Sequence, residues 1–271
     1  MSRVAIVVLN YLNYKDTIEC VNSILKMQYS VCGVVIVDNG SNNGSYAKLK
    51  NAYKQIGTIK VIANKKNQGY AKGNNRGITY ARKRLRADFI LVVNNDTIFI
   101  DKNYIQVLLD KYEPGVGVIG SKILLKDGYV QDEIKDCLEF KNYVSIYINL
   151  LSLKHGSCFE FPTGQGKYVS ILHGSALLFT PDFFGFYKGF YSKTFLYGEE
   201  SILYLMCQCR KLKQLYVPDV RIFHKEDQSS MMSFQNNEVI IRRYIFKSMK
   251  YIIWWIIKYH FQTYLENYHK K

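Results

Sequence analysis

The chain has 271 residues, 48% of them hydrophobic and 22% charged, and carries a net charge of +15. This is the composition of an ordinary globular protein with one large or two small domains, and no apolar run approaches the roughly 20 residues a membrane-spanning helix needs. The excess positive charge suits an anionic partner such as nucleic acid, anionic lipid or a phosphorylated substrate, and does not by itself choose among them.

The six cysteines are Cys20, Cys32, Cys137, Cys158, Cys207 and Cys209. None has the C-x-x-C spacing of zinc or redox sites, and the N-terminus lacks the basic start and long apolar run of a signal peptide. They read as reduced thiols of a cytosolic protein.

In chain order, Val4–Leu9 is a first strand, apolar on both faces as a strand between helix layers should be. A polar loop, 10–13, follows, then a helix over 16–27 with Ile18, Val21, Ile24 and Leu25 at helical spacing. Val34–Val37 is a second strand, 46–56 a second helix, Ile59–Ile62 a third strand, 70–86 a third helix and Phe89–Val93 a fourth strand. Such an alternation predicts a parallel sheet with helices on both faces and all four strand exits on one edge. That edge collects Asn10, Tyr11, Asp38, Asn39, Asn67, Asn94 and Asp96. Each alone is a plausible turn or cap residue; together they form a polar crescent where ligands dock in open α/β sheets.

Beyond Asp101 the spacing predicts a helix to about residue 111 and a strand over 116–121. Residues 126–168 lose any clean period and read as an inserted hairpin and loop. A strand over 171–179 then contains His173, Gly174 and Ser175, and Pro181–Phe184 starts a short helix. A further helix opens at Tyr197-Gly198-Glu199-Glu200 and runs to about residue 210. Short strands over 215–217 and 220–223 precede His224.

From about Phe234 the chain reads as one long amphipathic helix. Between Arg242 and Lys271 it carries seven Lys or Arg against one acid, Glu266, and Lys250 and Lys258 fence an apolar core around Trp254 and Trp255. This is how an interfacial helix lies on a membrane surface; packing on its own domain, or on a second subunit in a homodimer, is the other reading.

Five blocks, in order, resemble the family 2 glycosyltransferases of GT-A fold, in their bacterial rhamnosyltransferase-like branch. They are Val7–Tyr11, Val37–Ser41, Asn67–Gly77, Val93–Thr97, and Tyr197–Glu200 with Val217–His224. The resemblance implies an α/β fold with a Rossmann-like, mostly parallel central sheet. It implies a catalytic domain over 1–230, with nucleotide-binding (1–100) and acceptor-side (101–230) halves, followed by the tail, 231–271. It also implies an inverting transfer of a sugar, rhamnose in this branch, from a UDP- or dTDP-linked donor to a hydroxyl of a glycan or lipid-linked glycan. Such an enzyme would work at the inner face of the cell membrane with Mn2+ or Mg2+.

Residue by residue, Asp38 matches the acid that binds the base of the sugar nucleotide. The resemblance implies that Asn10, Tyr11, Asn67, Gly69, Lys72, Asn74 and Asn95 line the nucleotide-sugar pocket, with glycines letting backbone approach the ligand. Asp96 matches the metal ligand of the D-x-D position, whose first acid is Asn94 here, and His224 matches a metal or diphosphate histidine. Alone, His224 would read as a hydrogen-bonded core imidazole. Glu200, with Glu199 before it, matches the catalytic base, where the family usually has Asp, and Ile202 replaces a frequent second acid. His173 and Gly174 fall on the acceptor side. Lys72 and Arg76 read equally as diphosphate contacts and as surface charge.

Three rivals remain. A sugar nucleotidyltransferase would carry a glycine-rich loop after the first strand, where Asn10-Tyr11-Leu12-Asn13 has no glycine. A nucleic-acid binder would need a recognised module, so no nucleic acid is expected. A catalytically inactive partner subunit is kept in view by the Glu-for-Asp change.

Overall fold

The computed structural model describes residues 2–126, 128–130, 168–169, 171–225 and 238–268. The inserted segment expected over 126–168 lies largely outside the described residues, as do Cys137 and Cys158.

The elements in order are β1 (Val4–Asn10), α1 (Tyr14–Ile24), β2 (Gly33–Asp38), α2 (Ser45–Ala52), β3 (Ile59–Ala63), α3 (Gly69–Arg84) and β4 (Phe89–Asn94). Then come β5 (Thr97–Phe99), α4 (Tyr104–Asp110), β6 (Val116–Leu124), β7 (Ala176–Phe179), α5 (Pro181–Phe186), α6 (Glu199–Gln208), β8 (Lys213–His224) and α7 (Glu238–Tyr268). The sheet order is β3-β2-β1-β4-β7-β6-β8-β5. β1 to β4 are parallel, as expected from their helical crossovers. The second half is mixed: β7 runs antiparallel to β4 and β6, β8 parallel to β6, and β5 antiparallel to β8.

Strand side chains alternate between two cores. Ala5, Val7, Val35 and Val92 face α3, α6 and α7, while Val4, Ile6, Val8 and Leu91 face α1, α2 and α4. All eight strand residues are essentially solvent-free, and burying one such side chain contributes about 1.5–3 kcal/mol. Asn13 caps α1 by accepting the Asp16 backbone N–H, and Thr180 caps α5, with Pro181 at the first helical position.

Three local readings are corrected. The strand expected over 171–179 starts only at Ala176, because the Ser175 backbone N–H bonds to Nδ1 of His173 (3.2 Å) and turns the chain first. The two short strands around 215–223 are one strand, β8, with a bulge. Val217 pairs with Ser121 but Arg221 with Lys122, which leaves Pro218, with no N–H to give, outside the ladder. Thr97–Phe99, where no strand was expected, forms β5 against β8.

The tail helix packs on its own domain. Ser248, Met249, Ile252, Trp255 and Ile256 are buried, and the apolar four join the core shared with α3 and α6.

Candidate active site

The polar exits of the parallel strands come into register. Asn10 pairs with Asp38 across β1 and β2, and Leu9 with Asn94 across β1 and β4. Asn10 donates from Nδ2 to Oδ1 of Asp38 (2.7 Å), and the Ser41 backbone N–H donates to the other oxygen of Asp38 (3.1 Å).

Asn39 is the hub of this edge. Its Nδ2 donates to Oδ1 of Asn67 (3.0 Å) and to the Gly69 carbonyl (3.1 Å), and its Oδ1 accepts from Nδ2 of Asn64 (2.9 Å) and the Gln68 N–H (3.1 Å). It thereby ties the β2 exit to the start of α3. Nη1 of Arg76 donates to Oδ1 of Asn64 (2.7 Å), which extends the network.

Several of the expected nucleotide contacts also brace the fold. Asn10, Asn74 and Asn95 are buried. Asn10 accepts from the Thr17 hydroxyl, Asn74 donates to the Tyr70 carbonyl, and Asn95 donates to the Asn13 carbonyl and Thr17. Tyr11 and Asn67 keep partial exposure, and Lys72 is exposed. The glycines of the 67–77 block also serve packing. Added Cβ atoms would run into the Phe195 carbonyl at Gly69, Leu9 at Gly73 and Val7 at Gly77, so α3 lies close against the sheet and the 190–198 segment because these side chains are absent.

A second group lies where β4, β7 and β8 end. The antiparallel pairing of β5 with β8 sets Thr97 opposite His224, and so brings His224 to the neighbouring Asp96. Asp96 (7% exposed) and His224 (8%) are buried, with Nε2 3.3 Å from Oδ1. The pair is close but misaligned for a hydrogen bond, and both ring nitrogens of His224 lack a hydrogen-bond partner among the described residues. Two donors held by one octahedral ion at about 2.1 Å stand roughly 3 Å apart, so this spacing and this donor set fit a shared divalent cation. Among the described residues no cluster of three His, Cys, Asp or Glu occurs, so the remaining coordination positions would fall to ligand or water.

Ser175 fixes this corner. Its carbonyl accepts the Asn94 N–H (2.9 Å) and the Thr97 hydroxyl (3.3 Å). The His173 ring stands edge-on to His224, with centroids 5.4 Å apart. Because Nδ1 of His173 accepts the Ser175 N–H, the proton of the neutral ring sits on Nε2. Lys225 bonds to the carboxylates of Asp16 and Glu19, tying the end of β8 to α1.

Gly174 continues the line toward α6. The Tyr70 hydroxyl donates to its carbonyl (2.8 Å), and a Cβ there would sit 2.7 Å from the Glu200 carboxylate. Tyr197 and Gly198 both have positive φ, which turns the chain sharply so that Glu199 and Glu200 open α6. Acids in a first turn are favoured by the helix dipole. The two diverge, as their one-residue offset requires. Glu199 is buried, and desolvation first, then the neighbouring Glu200, push its carboxyl up to about 8. Glu200 is half-buried beside Gly174. Ile202 is enclosed in the core, so the position of the family's second acid does not reach this line.

Tyr70 was missed as a site residue although it lies in the Asn67–Gly77 block, and Asn39 was read only as one member of the polar crescent. Burial, then Glu200, Glu199 and Asp96, hold the Tyr70 hydroxyl well above its usual pKa, so Tyr70 feels all three acids at once.

Known proteins share this fold. Among solved structures the chain resembles mannosyltransferase PcManGT from Pyrobaculum calidifontis, in complex with GDP-Man and Mn2+ (TM-score 0.59, 12% identity, 96% of this chain and 73% of that one). It also resembles GalNAc-T7 with UDP, GalNAc and Mn2+ (TM-score 0.62, 13% identity, 83% and 44%) and S. aureus TarS with UDP-GlcNAc (TM-score 0.57, 16% identity, 85% and 60%). These likenesses show a GT-A-like α/β fold. Glycosyltransferase GlyG of Streptococcus pneumoniae serotype 4 is 28% identical over 110 residues, which span 41% of this chain and 35% of that protein. The model of Glycosyl transferase family 2 matches residues 4–172, more than half of the chain, and the chain belongs to that family.

Proposed function

We propose that the protein is an inverting glycosyltransferase that moves a sugar from a nucleoside-diphosphate donor to a hydroxyl of a glycan, free or lipid-linked. The observation that carries this reading is the buried Asp96–His224 pair, whose imidazole has both nitrogens unpartnered among the described residues. Mn2+ or Mg2+ held by Asp96 and His224 would neutralise the charge that gathers on the departing diphosphate. Glu200 takes the proton of the acceptor hydroxyl as its oxygen attacks the anomeric carbon. The bond from that carbon to the diphosphate breaks, and the electron pair leaves with the diphosphate. A single base and a single displacement invert the anomeric centre. Burial keeps Glu199 protonated near neutral pH, which favours Glu200 as the base. The Nε2–H of His173 is a donor within the same line, and the Asn39 network holds the nucleotide edge in shape.

The test is a thermal-shift panel of UDP-, GDP- and dTDP-linked sugars, dTDP-rhamnose included, each with and without Mn2+. A ligand that binds only the folded state raises apparent stability by about 2.7 kcal/mol at a hundred times its dissociation constant. We expect one nucleotide class to stabilise the protein, more strongly with the metal. A flat panel counts against the reading.

A further inference from the structure

The tail helix has two apolar faces, and only one is used by the fold. The inner face holds the segment that leads to the catalytic acids. The Ser248 hydroxyl donates to the Leu196 carbonyl (3.1 Å), Tyr244 stacks on Phe195 (4.9 Å), and a Cβ at Gly198 would meet Ile252 at 2.9 Å. The opposite face is largely open: Ile257 (55%), Phe261 (62%) and Leu265 are exposed, as is Trp254, which stacks on Tyr191 with one ring face (6.2 Å). At 100° per residue these four share an arc of about 100° with Arg243, Lys247, Lys250 and Lys258. All four cations are exposed, and no Asp or Glu occurs between Val239 and Leu265. Lys258 spans the faces of Trp254 (5.2 Å) and Trp255 (4.4 Å).

We propose that this outer face docks in the plane of an anionic lipid bilayer. Apolar and aromatic side chains with interleaved cations and no acids match the headgroup boundary, and none of the described helices is long and apolar enough to cross a membrane. A second copy is a poorer occupant, because a two-fold contact would set each cation row against its own image. Nucleic acid would satisfy the lysines but not Ile257, Phe261 and Leu265. Docking would hold the start of α6 at a fixed height over the bilayer, facing acceptors carried there. That consequence rests on the transferase reading above; the docking itself does not.

The experiment is co-sedimentation of the full chain with vesicles of phosphatidylcholine alone and of phosphatidylcholine mixed with phosphatidylglycerol. Lysines at a charged surface contribute about fivefold each, so K247Q/K250Q/K258Q should weaken binding to the mixed vesicles on the order of a hundredfold. I257S/F261S should weaken it at least tenfold, and added salt should weaken the wild type. Circular dichroism and nucleotide-induced thermal shifts should be unchanged in both variants. Because the lysine variant removes no packed apolar group, it stays decisive if I257S/F261S misfolds. Wild-type protein left in the supernatant with both vesicle types overturns the proposal. So does unchanged binding by a folded lysine variant, or a concentration-dependent dimer lost in I257S/F261S without any lipid binding. Vesicle binding needs neither donor nor acceptor, so its failure is separate from a failure of the transferase reading.

Discussion

Two polar regions lie along one end of the sheet, and they are built on opposite principles. At the β2–α3 edge, Asn10, Asp38, Asn39, Asn64 and Asn67 spend their side chains on one another and on backbone. At the β4–β7–β8 corner and the start of α6 beside it, His224 and Glu199 are buried with polar atoms lacking hydrogen-bond partners among the described residues. An unmet buried polar atom costs about 1–3 kcal/mol, so a satisfied network reads as scaffold and an unsatisfied one as a place prepared for a ligand.

Replacing groups in each region should separate these roles. Asp96→Asn should lower transfer on the order of a thousandfold while leaving the thermal midpoint near that of wild type, as measured by initial rates with saturating donor. Glu200→Gln should lower kcat about a hundred- to ten-thousandfold and leave donor affinity unchanged. If Glu199→Gln shows that profile instead, the base is the neighbouring residue.

The scaffold side should respond in stability. Asn39→Ala removes four hydrogen bonds from a buried hub, and should cost about 2–4 kcal/mol in urea unfolding and raise the donor KM.

Glu199 gives a pH-dependent effect of known sign. Its folded pKa, about 8, lies above the ordinary carboxylate value, so the folded state binds the proton more tightly than the unfolded chain. Stability from this group falls as pH rises from about 4.5 to 8. Glu199→Gln should therefore raise the unfolding free energy at pH 8 by no more than a few kcal/mol and leave it unchanged near pH 4. Tyr70→Phe removes one bond to the Gly174 carbonyl and should cost about 1 kcal/mol or less.

The parallel half of the fold was legible in the residues because each of its strands, β3 with one lysine excepted, is an apolar run ended by Asn or Asp. The corner was only partly so. That His224 meets Asp96 depends on β5, three residues long and masked by the polar run before it, pairing with a strand more than a hundred residues later. Asn39 looks like its neighbours in sequence, and only the fold shows that four bonds converge on it. The tail left two readings open for a related reason. Ile252 and Ile257 are equally apolar, yet one is buried and the other open, and no periodicity separates a helix face that packs from one that does not.

Calorimetric titration of Mn2+ into the protein, with and without a nucleoside diphosphate, tests the corner directly. Wild type should bind the ion, more tightly with the nucleotide, and both Asp96→Asn and His224→Ala should lose at least tenfold in affinity. A wild type that binds no ion, or variants that bind it equally well, would contradict the assignment of Asp96 and His224 as the cation site.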